Sequence, residues 1–139
     1  MELKEHLSLC IRARYPILFL ITWEEKRAED LIRDICKDLK KQVITWTLSQ
    51  GFQPDDGISK SSKPEDALKY IGSCDQKAIF VLKDFHPFLE NETVIRLLRD
   101  LAILLKTSYK TIILISPTLK IPPELEKDVS VYDFPLPNA

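Results

Sequence analysis

Residues Ile17 to Ile21 read Ile-Leu-Phe-Leu-Ile without interruption, and Ala78 to Leu82 and Thr111 to Ser116 repeat that continuous apolar character farther along the chain. A strand with one face in water alternates apolar and polar residues. Unbroken runs therefore require cover on both faces, which the parallel sheets of α/β folds supply. The intervening stretches carry apolar residues at helical spacing. These are Leu3, Leu7, Cys10 and Ile11; then Ala28, Leu31, Ile32, Ile35, Cys36 and Leu39; then Ala67, Leu68 and Ile71; then Val94, Ile95, Leu98, Leu101, Ala102 and Leu105.

The remaining signals are local. Pro16 ends the first helix and marks entry into the first strand. Gln42 to Leu48 is β-branched and aromatic, a second strand, and Val129 to Phe134 is a fifth. Ser49 to Lys63, with Gly51, Pro54 and Gly57, reads as one long exposed loop. Pro64 suits the first position of a helix, Gly72 its end and Asn91 the N-cap of the next, while Pro122 to Leu125 makes a short helical turn. Strands alternating with helices predict a three-layer α/β sandwich around a five-stranded parallel sheet. The expected strand order is that of a degenerate P-loop NTPase of AAA/RecA type, with the first strand between the fourth and fifth. A receiver-like order, with the first strand between the second and third, is the competing topology.

With 139 residues, 45% apolar and 29% charged, the chain fits a single folded domain at 1–134. Pro135 to Ala139 reads as the start of a linker to a further domain. A net charge of -1 gives no general attraction to nucleic acid or anionic lipid. No apolar run approaches the roughly 20 residues of a membrane span, and the first residues do not resemble a secretory signal. Cys10, Cys36 and Cys74 lack metal or redox spacing and are expected to be reduced, Cys10 and Cys36 in the core. The expected compartment is cytoplasm or plastid stroma.

A P-loop ATPase wraps its phosphates in glycine N–H groups at a helix N-terminus and reaches them with a lysine. Here that place holds Trp23-Glu24-Glu25-Lys26-Arg27, and no glycine occurs from Ile17 to Asp30. Glu24, Glu25, Glu29 and Asp30 complement the helix dipole themselves and would repel a triphosphate. Lys26 and Arg27 read as solvated surface charges. Asp84 follows its strand where an ATPase carries the carboxylate of its magnesium site, but Phe85 stands where a water-activating glutamate belongs. A turn carboxylate is the plainer reading of Asp84, and a turn histidine that of His86. His6 has no evident partner. Ser116 resembles a polar sensor at a strand tip and equally opens a turn. Trp23, Phe85 and Phe88 all follow strand ends and are expected to gather there, either as a partner surface or as cover for the sheet. No catalytic residue, nucleotide-binding residue, metal ligand or cofactor is assigned.

Tyr15 to Glu25, Phe80 to Phe88, Lys110 to Pro117, Lys120 to Leu125 and the closing Phe134-Pro-Leu-Pro137 together resemble the N-terminal region of the conserved hypothetical chloroplast reading frame AAA ATPases of plastids and cyanobacteria. That resemblance implies a degenerate nucleotide-fold domain ahead of a complete AAA domain. The expected function is a non-catalytic regulatory or interaction module, with a protein partner, the adjoining AAA domain or a second copy as its contact and neither nucleic acid nor membrane. The alternative is a receiver-like phosphoacceptor using Asp84 with Glu24, Glu25 and Ser116, although the basic residue expected after the fifth strand is missing. A third option is an ATPase that borrows its phosphate loop from another subunit.

Overall fold

The computed structural model describes residues 3–53 and 63–133. Helix α1 spans Leu3–Arg12, strand β1 Ile17–Ile21, α2 Glu25–Leu39, β2 Gln42–Thr47, β3 Gly51–Gln53, α3 Pro64–Ser73, β4 Ala78–Lys83, α4 Glu92–Leu105, β5 Thr111–Ser116 and β6 Val129–Asp133. Tight 3-10 turns occupy His86–Glu90 and Pro123–Leu125.

The sheet order is β3-β2-β4-β5-β1-β6, so β1 lies between β5 and β6 as in an ATPase-type sheet and not between β2 and β4 as a receiver would require. Every pairing is parallel except β2 with β3. The sheet is therefore mixed and six-stranded, a correction to the five parallel strands expected. The extra strand falls inside the stretch read as a loop. Gly51 adopts φ 68, which lets the chain reverse after β2, and Phe52 opposite Trp46 is buried against Tyr70 and Phe80. The rest of the expected loop, 54–62, lies outside the described residues, as do Phe134 and the expected linker.

Continuous apolar runs arise because alternate residues of one strand enter different cores. Ile17 and Phe19 join Phe80, Leu82, Ile112 and Leu114 against α3 and α4. Leu18 and Leu20 join Ile79, Val81, Ile113 and Ile115 against α1 and α2. Cys10 and Cys36 are buried in this second core, as expected, and burial pushes the Cys36 thiol up to about 11. Each fully buried large side chain contributes about 1.5–3 kcal/mol over its exposed state.

Asn91 caps α4, its Oδ1 accepting from the N–H groups of Thr93 at 2.8 Å and Val94 at 3.1 Å. Gly72 does not end α3, which continues to Ser73. A Cβ there would meet Leu101 Cδ2 at 3.0 Å, so glycine lets α3 approach α4 without displacing the Leu101 side chain. His6, expected to be without a partner, packs edge-on against Tyr132 with centroids 4.9 Å apart. Tyr132 in turn places its hydroxyl 2.8 Å from Cys10 Sγ and ties β6 to α1. Among the described residues no helix is long and apolar enough to cross a membrane.

Candidate functional site

In a parallel α/β sheet, ligands bind outside the carboxyl ends of the strands, where the loops converge. Here the connections at that edge are short, heavily bonded turns. Between the end of β1 at Ile21 and the start of α2 at Glu25 stand only Thr22, Trp23 and Glu24. Thr22 is buried, and its Oγ1 accepts the Glu24 N–H at 2.9 Å while its own N–H donates to Ser116 O at 2.9 Å. One potential phosphate donor is thus consumed inside the turn, and the helix opens with Glu24 and Glu25 at its positive end. These residues lack the parts of a triphosphate cradle: the connection has no glycine, and two carboxylates stand at the start of the helix.

Asp84 lies at φ 53, the left-handed region that aspartate tolerates better than most residues. Its N–H donates to Ile115 O at 2.9 Å, extending the sheet by one residue before the chain turns into the 3-10 segment. The side chain is exposed and lines both hollows at this edge, as does Glu25. One hollow, about 250 Å³, runs between Thr22, Trp23 and Ser116; the other, about 590 Å³, between Thr47, Leu48, Pro87 and Phe88. Among the described residues there is no group of three His, Cys, Asp or Glu able to hold a metal ion.

Ser116 is buried and fully committed. Its Oγ donates to Thr118 O at 2.8 Å and accepts the Thr118 N–H at 3.1 Å, so the His86 Nδ1 at 2.9 Å is the donor in the third contact. The pair locks the β5 turn to the 3-10 segment.

The three rings do not form one surface. Phe85 is 0% exposed, held edge-on by Trp46 at 5.6 Å and Phe88 at 5.4 Å, because the left-handed turn at Asp84 drives it back under the sheet. Phe88 is half-buried in the same aromatic cluster. Trp23 alone is open, at 78%. Leu48, directly after β2, and Leu119, three residues after β5, are also exposed; sequence reasoning missed them, having placed Leu48 inside the second strand. Lys83 and Arg33 both pair with Glu29 of α2, the latter at 2.9 Å. Burial raises the Glu29 carboxyl, but the hydrogen bonds and charges of Lys83 and Arg33 outweigh it and hold the group below the usual carboxylate range.

Comparison with known proteins gives the family and the fold. The family described as SpoVK-like AAA ATPase, N-terminal domain, matches residues 3–134. The uncharacterized AAA domain-containing protein ycf46 of Guillardia theta is 34% identical over 143 residues, covering 99% of this chain and 28% of that protein. Its counterpart in Pyropia yezoensis is 36% identical over 144 residues, with 99% and 29% covered. The chain thus spans under a third of the length of these relatives. Among solved structures, a chain from Drosophila ORC bound to AT-rich DNA and Cdc6 superposes with a TM-score of 0.58 at 10% identity, covering 93% of this chain and 51% of that one. A chain from Drosophila ORC bound to DNA gives 0.53 at 11%, covering 94% and 86%. At such identity these two likenesses speak to the fold alone. The family match spans nearly the whole described chain, and this chain belongs to the SpoVK-like AAA ATPase N-terminal domain family.

Proposed function

We propose that this domain is a non-catalytic regulatory module whose sheet edge, in place of a nucleotide, receives the AAA domain expected to adjoin it in the longer protein. The observation that carries the reading is the three-residue, glycine-free turn Thr22–Glu24, which leaves Trp23 78% exposed. Trp23 lines one hollow at this edge and Leu48 the other, both exposed and both beside Glu25 and Asp84, and exposed apolar groups next to charge favour protein contact. A domain in the same chain would meet this edge at millimolar effective concentration, so even a modest surface suffices for docking.

Two measurements test it. The isolated domain, titrated with magnesium and ATP, is expected to show no saturable change in Trp23 fluorescence or in the amide shifts of Thr22 to Arg27; a micromolar response there overturns the non-catalytic reading. In the longer protein, Trp23→Ala with Leu48→Ala is expected to change ATPase rate several-fold at unchanged unfolding temperature. An ATPase rate indifferent to both, with Trp23 still solvent-exposed in the full chain, overturns docking of the adjoining domain.

A further inference from the structure

The opposite edge of the sheet, where the parallel strands begin, carries a concentration of positive charge that the reading above does not use. The Arg14 guanidinium lies 4.3 Å from the ring centroid of Tyr109, the Lys77 ammonium 4.8 Å and the Lys41 ammonium 5.8 Å. Lys40, Lys41, Lys77 and Tyr109 line a hollow of about 260 Å³. Arg14 follows α1, Lys40 and Lys41 follow α2, Lys77 precedes β4 and Tyr109 precedes β5, so four separate connections bring these residues together. Among the described residues no carboxylate pairs with Arg14, Lys40, Lys41 or Lys77.

Helix C-termini account for only part of this charge. Each helix end presents about half a negative charge. The end of α3 is already met by Lys110, and the main-chain N–H of Lys40 bonds the last carbonyls of α2. Arg14 and Lys40 also hold left-handed φ values of 64 and 57 at positions where glycine would end a helix without strain. The surplus cations are therefore held on a constrained backbone around one ring, with Tyr15 and Tyr109 both exposed beside them. Tyrosine and arginine at the centre of a patch are the side chains that dominate protein–protein contacts.

We propose that this amino-terminal edge binds an acidic segment of a partner protein, a flexible run carrying several Asp or Glu side chains. Separate carboxylates on mobile arms match cations that come from three separate connections. A phosphate chain would want converging backbone N–H donors, whereas this edge carries helix carbonyl ends. Single-stranded nucleic acid would want several open ring faces for stacking, but Arg14 and Lys77 already lie over Tyr109, which among the described residues leaves Tyr15 as the one exposed ring of this edge without a cation over it.

The test is a titration of this chain, followed by amide shifts at physiological salt, with a short Glu-rich peptide, an oligothymidylate of equal charge, and pyrophosphate. The expected result is saturable peptide binding that shifts Arg14, Lys40, Lys41, Lys77 and Tyr109 and leaves Trp23 unmoved. Arg14→Glu and Lys77→Glu should each weaken it about tenfold or more, and Lys40→Asn, which keeps the left-handed turn, should weaken it without unfolding. Equal or tighter binding of the oligonucleotide or pyrophosphate overturns the proposal. So does an absence of saturable peptide binding, or a response spread over remote lysines such as Lys26 and Lys127.

Discussion

Lys110 reaches from the threshold of β5 to the open end of α3, where its Nζ donates to Ile71 O at 2.7 Å and also to Cys74 O at 2.8 Å. The residue is 8% exposed, so its ammonium is nearly removed from water and exchanges hydration for carbonyls at the end of the helix, of which Ile71 O otherwise meets, among the described residues, only the weak Cys74 thiol donor. Lys110→Met keeps the apolar stem and deletes both charge-assisted bonds. The expected loss is about 1.5–3 kcal/mol, read as a lower denaturant midpoint at unchanged slope. An unchanged midpoint would mean that water replaces the ammonium at no cost.

Phe85 and Trp23 follow strands at the same edge of the sheet but should respond in opposite ways. Phe85→Ala opens a cavity beneath Trp46 and Phe88 and should cost about 3–5 kcal/mol. Trp23→Ala removes an exposed ring and should change stability by no more than about 0.5 kcal/mol. Parallel thermal unfolding of the two variants checks both, and equal losses would contradict the burial difference.

That contrast shows where the sequence was legible. The continuous runs at β1, β4 and β5 announced a sheet covered on both faces, and Pro16, Pro64 and Asn91 placed element boundaries, because these signals are local. Strand β3 was hidden because its three residues sit in a polar, glycine-bearing stretch and gain their strand character only from pairing with β2. The side of the sheet taken by Phe85 was equally hidden. It depends on the positive φ of Asp84, and an aromatic residue after a strand carries no mark of which way the turn sends it. The short, glycine-free connection after β1 was legible directly, whereas the basic edge around Tyr109 was invisible because its members come from connections far apart in sequence.

Glu29 gives the fold a weak acid-side pH dependence. Its folded carboxyl is depressed by Lys83 and Arg33, so the stability it contributes is present above its unfolded range and is lost as pH falls through the lower folded value. Glu29→Gln should therefore lower stability at neutral pH by about 1 kcal/mol or less and lose less stability than the parent on acidification below the ordinary glutamate range. Denaturant midpoints followed from neutral to acid pH check this. Curves that stay parallel throughout would show that the Lys83 and Arg33 contacts do not favour the charged form.

Asp84 separates a backbone requirement from a chemical one. Its side chain is exposed, and among the described residues its carboxylate has no hydrogen bond or ion pair, yet φ 53 places its backbone where a β-branched residue is strained. Asp84→Asn and Asp84→Gly should both leave the unfolding midpoint within about 0.5 kcal/mol of the parent, since both residues enter the left-handed region readily. Asp84→Val should cost about 1–2 kcal/mol, because its branched Cβ resists that turn while Phe85 must still enter the core. If instead Asn, Gly and Val were equally damaging, the carboxylate itself would be structurally required. The position would then again be a candidate for charge-dependent chemistry rather than a turn that aspartate happens to permit.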